Sequence, residues 1–163
     1  SEYDSNAGAD GITDCITIVD ADDWTIDAAL CEQPQEGCTR TQGYWKNHAD
    51  RMSPYLPIWL GDAGGAESLE VTDQYLAVAI LEGNGNNGIA KLYVQLLAAK
   101  LNFAAGASDT DVAEYVDDAD AFLADHGLDD WWTLSGADHD MVLWWKDMFD
   151  NYNNGLLGPG HCD

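Results

Sequence analysis

The chain has 163 residues, 46% hydrophobic and 22% charged, which is a globular composition with enough apolar material for one core. Thirty Asp and Glu face six Lys and Arg, and the resulting formal charge of −24 repels nucleic acid and anionic lipid, which excludes both as partners. No apolar run reaches the roughly 18 residues of a membrane-spanning helix, so no membrane insertion is expected.

A field of this sign attracts cations and keeps the chain soluble where salt screens its self-repulsion. Two compatible readings follow: a halophilic protein with solvated acidic faces, or a surface that gathers divalent cations. Four cysteines, Cys15, Cys31, Cys38 and Cys162, make an even number without a CxxC pair. That argues against a zinc knuckle, a redox pair and a haem attachment site. Two disulfides are the natural reading, and they imply an oxidising compartment outside the cytoplasm. Three pairings are open. Cys15–Cys31 with Cys38–Cys162 is the favoured one, the second loop being long enough to stabilise by about 4 kcal/mol. An extracellular or cell-surface protein with its signal peptide already removed is the expectation.

In chain order, residues 1–37 stand apart as an extended arm or hairpin. Ser1 to Asp10 is polar. Ile12 to Val19 is rich in β-branched residues, and Trp24 to Ala28 alternates, with the acidic turn Asp20-Ala21-Asp22-Asp23 between them. A hairpin turning near Asp23 places Cys15 opposite Cys31. Two strands alone are marginal, so this unit has to pack on its own helices or pair with another chain.

Residues 38–163 read as a disulfide-closed helical domain. Gly43 to Met52 predicts a short helix that stops before Pro54, and Pro57 breaks the chain again. Thr72 is placed to cap a helix running to Glu82, which ends in the glycine- and asparagine-rich loop 83–88. Ile89, Leu92, Tyr93, Leu96, Leu97, Leu101 and Ala104 mark one face of a long helix. Ser108 is read as the cap of the next, whose stripe is Val112, Tyr115, Val116, Ala119, Phe122 and Leu123. Met141, Trp144, Trp145, Met148, Phe149 and Tyr152 mark the last helix, closed by Gly155. The fold class expected is mainly α: a small bundle of four to five helices, an N-terminal β-hairpin or arm, and two disulfides.

Two segments are unusually specific: Cys38-Thr39-Arg40-Thr41-Gln42-Gly43-Tyr44-Trp45-Lys46-Asn47-His48 and Tyr152-Asn153-Asn154-Gly155-Leu156-Leu157-Gly158-Pro159-Gly160-His161-Cys162. Tyr44 and Trp45 supply large buried area with polar ends that seek partners. Arg40 and Lys46, two of six cations, are each expected to pair with a carboxylate. Gly155, Gly158 and Gly160 allow tight turns, and Pro159 stiffens the path to Cys162. The physical reading is a clasp. With the intervening Leu97-Ala98-Ala99-Lys100-Leu101-Asn102, these blocks resemble a family of secreted bacterial and archaeal surface domains. Those domains open with C-T-x-T-Q-G-Y-W-K-N-H and close with Y-N-N-G and G-P-G-H-C. The resemblance covers about residues 38–162. It implies secretion, a disulfide between the opening and closing cysteines, and a role at the cell exterior as a surface-protein module or a filament building block. It implies no catalytic activity.

A Cys38–Cys162 bond would bring His48 and His161 together, with Asp50 or Asp163 as further ligands for zinc or copper. The set lacks an i, i+4 histidine pair, and hydrogen-bonded structural histidines are the simpler reading. Calcium has the better case: Asp150 and Asn153 crowd oxygen ligands ahead of Gly155, although the EF-hand spacing is incomplete. Asp20 and Asp22 in the arm, and the Asp117-Asp118-Ala119-Asp120 run, are further candidates. A nucleophilic enzyme is hard to build, without GxSxG, a free cysteine or a phosphate loop that would hold a nucleotide.

The expectation for function is a non-enzymatic extracellular structural subunit whose partners are copies of itself, assembled head to tail into a filament or surface layer. Its candidate interface is Ile16, Ile18 and Trp24 of the arm with Trp131, Trp132 and Trp144 of the helical part. A monomeric calcium- or carbohydrate-binding module is the alternative, and a secreted metal-dependent enzyme the third reading.

Overall fold

A helix that is apolar over most of its circumference needs neighbours on several sides, and the segment after the glycine-rich loop, with only Lys91, Gln95, Lys100 and Asn102 polar, has that composition. In the computed structural model, which describes residues 37–83 and 85–162, it is the centre of a mainly helical fold. The described residues lie in one compact unit, Glu36–Asp163. The arm, with Cys15, Cys31, Asp20, Asp22, Ile16, Ile18 and Trp24, lies outside the described residues, as does Asp163.

The opening block forms α1, Gln42–Asn47, and α2, Ala49–Met52. The expected single helix from Gly43 to Met52 is broken at His48, which leaves helical geometry (φ −128°, ψ 54°). Thr41 caps α1 by accepting from the Tyr44 amide at 3.2 Å. After a 3₁₀ turn at Ser53–Tyr55, the chain makes two strands that periodicity did not reveal, β1 at Ile58–Leu60 and β2 at Leu69–Val71. They pair antiparallel with Ile58 opposite Val71 and Leu60 opposite Leu69. Three residues are too few for an alternation to register in sequence.

Then follow α3 at Gln74–Leu81, α4 at Gly88–Ala104, α5 at Ala113–Asp125 and α6 at Gly136–Asn153. The cap of α3 is Asp73, not Thr72: its carboxylate accepts from Tyr75 N at 2.9 Å and Leu76 N at 3.0 Å. Ser108 caps no helix. Its hydroxyl pairs with Thr110 Oγ1 at 2.9 Å, and the Asp109 carbonyl collects the Val112 and Ala113 amides before α5 begins. Ser135 caps α6 in a reciprocal box with Asp138.

α4 packs most extensively on α6 and also meets α1, α3 and β1. Its predicted stripe is therefore too narrow. Val94, Gln95, Ala98, Ala99 and Asn102 are buried as well, while Ala104 at its end is exposed. Lys100 leaves this helix to donate to Trp59 O at 2.7 Å and to pair with Asp120 of α5, whose other oxygen accepts from Gly61 N at 2.9 Å. That arrangement ties β1 to α4 and α5. It spends Asp120 on structure, while Asp117 and Asp118 remain on a solvated face.

A 3₁₀ turn at Leu128–Trp132 lays the Trp131 ring across the start of α4. Trp131 is 7% exposed and stacks on His139 at 4.0 Å, and a Cβ at Gly88 would come within 2.2 Å of the indole. Glycine is therefore required at position 88 by close approach, not by backbone angle. Gly88→Ala should cost about 1–3 kcal/mol by overpacking and shift the tryptophan emission. A midpoint in chemical denaturation equal to or above wild type would show that the ring is not fixed there.

Candidate functional site

The two sequence blocks meet in space. Cys38 and Cys162 are disulfide-bonded with their Cα atoms 5.0 Å apart. Thr39 and His161 form a short parallel bridge, in which Thr39 N donates to Gly160 O at 3.0 Å and Cys162 N to Thr39 O at 2.9 Å. The return path needs Gly155, which has φ +68° and whose Cβ would stand 2.3 Å from His161 N.

Beneath this bridge lies a buried amide network. Asn102, fully buried on α4, accepts on Oδ1 from Arg40 N at 2.9 Å and Trp45 Nε1 at 3.0 Å. Its Nδ2 donates to Arg40 O at 2.9 Å and Asn153 Oδ1 at 3.0 Å. Asn153 in turn donates to Gln95 O at 2.9 Å and Gln95 Oε1 at 3.0 Å, and Gln95 donates to Gln42 at 3.2 Å. Every amide in the chain of contacts comes from a block singled out in the sequence, except Gln95, which sits just before one. Tyr152 completes the closing block by donating to Ser108 O at 2.7 Å. Burial, then Asp109 and Asp111, push its hydroxyl well above the ordinary tyrosine range.

This placement revises several expectations. Asn153 faces the interior and its oxygen is taken by Asn102, while Asp150 accepts from Asn154 Nδ2 at 2.9 Å, so the structure does not assemble the pair as a cation site. His48 stacks on Tyr44 at 4.3 Å with Nδ1 2.8 Å from Tyr44 O, and His161 is exposed beside the bridge. Among the described residues no group of three or more His, Cys, Asp or Glu side chains is placed to hold a metal ion. Arg40 lies over the Tyr44 ring at 4.9 Å, and among the described residues neither it nor Lys46 makes the carboxylate pair expected.

The tryptophans divide. Trp131 is buried against Gly88 and His139, so it is not available as an interface residue. Trp132 is 70% exposed. Trp144 is 47% exposed with its ring edge-on to Tyr115 of α5 at 4.8 Å. Leu128, Met141, Leu143 and Leu156 are exposed too.

A feature that sequence reasoning missed is a cleft of about 400 Å³ between Glu67–Leu69 and Gly127–Asp130, with Tyr93 among its lining residues. Leu69, Tyr93 and Leu128 also line an apolar depression of about 320 Å³ over α3 and α4. Burial, and then the Glu67 carboxylate, push the Tyr93 hydroxyl up to about 12, so it keeps its proton at neutral pH. The available signal was a tyrosine on an otherwise apolar helix face.

No family model, curated protein or solved structure matches the chain.

The network makes a quantitative prediction. Asn102→Leu strands two buried donors and two acceptors and should cost at least about 3 kcal/mol, since each unsatisfied buried group costs about 1–3 kcal/mol. Asn154→Ala, in the same closing block but exposed, should cost under about 1 kcal/mol. Denaturant titration with the disulfide intact compares them, and equal losses would contradict the assignment.

Proposed function

We propose that the chain is an extracellular structural subunit that assembles with copies of itself, head to tail, into a filament or surface layer. The observation that carries this reading is the exposure of Trp132 and Trp144, two of the largest apolar side chains, on a molecule of formal charge −24. Exposed rings of this size mark contact surfaces. The specific sequence blocks support it from the other side. Trp45, Asn102 and Asn153 from these blocks are consumed in holding the ends together, which suits a part that must stay rigid under load.

The resemblance to secreted surface domains and the Cys38–Cys162 bond point to the cell exterior. The arm supplies the complementary half, with Ile16, Ile18 and Trp24 on two β-rich runs that can add to a neighbouring subunit. Two different surfaces meeting repeatedly give an open polymer, not a closed ring. Subunits of this charge repel one another, so salt or calcium promotes their contact. A monomeric carbohydrate-binding module is the second reading, because Trp132 is also a platform on which a sugar ring can stack.

Electron microscopy of purified protein at low and high salt, with and without a calcium chelator, is the test. Ordered fibres or sheets at high salt are expected, and W132S/W144S should remain a folded monomer under the same conditions. A wild-type protein that stays monomeric throughout, or a double variant that assembles normally, would overturn the proposal. The first result would favour the binding module.

A further inference from the structure

An uncharged hollow stands out on a chain of formal charge −24, and the depression of about 320 Å³ over α3 and α4 has no charged side chain among its lining residues. Leu69, Leu76, Ile80, Ala90 and Leu128 are part of that lining, and Leu128 is 46% exposed. Asn87 Nδ2 donates to Leu128 O at 2.6 Å, which holds this wall to the start of α4. Ala90 and Tyr93 lie in the first two turns of the same helix. The depression therefore belongs to the N-terminal end of α4. Leu128 shares its 3₁₀ turn with Trp132, the ring that stands 70% exposed.

The arm joins at the other end of that helix. The described residues begin at Gly37, where a Cβ would stand 2.3 Å from Gly106 O, just past the end of α4 at Ala104. Ala90 and Ala104 are separated by about 20 Å of helix axis. The chain that precedes Gly37 thus enters the unit at the end opposite the depression. Its one tryptophan is Trp24, which alternates with polar neighbours so that Trp24, Ile26 and Ala28 share one face of an extended run. Trp24 lies 13 residues before Gly37, a reach of up to about 45 Å.

We propose that the depression receives Trp24, with Ile26 beside it, from the arm of a second copy of this chain. The inference rests on the assembly reading above and deepens it by naming the anchor and its acceptor. In a neighbour stacked in the same orientation on the arm end of α4, the depression comes next to the arm, and the reach of Trp24 covers the gap. Donor and acceptor at opposite ends of one helix repeat from subunit to subunit, which gives the polymer its head and its tail. An apolar anchor in an uncharged hollow also brings two acidic subunits together without placing carboxylates face to face at the contact.

The test uses the full chain at one fixed high-salt concentration, followed by analytical ultracentrifugation. W24S removes the anchor, and A79W fills the depression from an exposed position of α3. Each is expected to raise the critical concentration for assembly at least about tenfold, the loss typical of a buried aromatic anchor. Mixed in equal amounts, the two should give a discrete dimer and no polymer. A79W keeps a working arm and W24S a working depression, so the pair makes one joint and offers no second. A121W, which adds the same ring at an exposed position of α5, should assemble like wild type. Should A79W unfold, A79E/L128E replaces it, both positions being exposed, with the same outcomes expected. Wild-type assembly with W24S assembling normally would overturn the proposal and assign the depression to another part of the second copy. A mixture that forms no dimer would overturn it too, leaving the filament standing. Failure of the wild type to assemble at all would overturn both.

Discussion

A primary amide fully buried on a largely apolar helix is tolerable only if its whole hydrogen-bonding capacity is used, and Asn102 meets that condition with partners from three separate parts of the chain. The opening segment contributes Arg40 backbone groups, α1 contributes Trp45, and α6 contributes Asn153. None of these can move without stranding a buried donor or acceptor. The position of α1 and α6 on α4 is therefore set by directional bonds as well as by packing, and the disulfide closes what those bonds have aligned.

This division of labour explains why the specific residues look like a motif: they hold the fold together. Trp45, Gln95, Asn102 and Asn153 are polar or amphipathic side chains in a core, where an unpaired group is costly and a paired one fixes geometry. Gly155 allows the return of the chain at a place where any Cβ would meet the His161 backbone. The surface carries features of another kind. There the chain offers exposed rings at Trp132 and Trp144 and an acidic cleft lined by Glu67, Asp129 and Asp130.

Much of the helical framework was legible from periodicity, because α4 and α6 are long and carry Leu, Trp and Phe at helical spacing. The ends were less so: Thr72 and Asp73 are both good capping residues, and only the geometry selects the second. The strands at residues 58–60 and 69–71 were too short to show a pattern. Ser108 misled because serine ahead of an apolar stripe resembles a cap, whereas here it sits in a turn that precedes α5 by several residues. The clasp was legible as a clasp but not as a network. Asn153 read as a calcium ligand because its oxygen-rich neighbourhood is visible in sequence, while the helix face that turns it inward toward Gln95 is not. Trp131 and Trp132 are neighbours with opposite fates, which one residue of rotation decides.

The central claim is that the Asn102 network is the fastener of the fold. Its most direct measurement is hydrogen exchange at the Trp45 indole N–H, followed by NMR in the oxidised protein. If the bond to Asn102 breaks only when the whole unit opens, this proton should exchange as slowly as the backbone amides of Leu96 and Leu97 at the centre of α4. Exchange at the rate of an exposed indole such as Trp132, with those amides still protected, would contradict it.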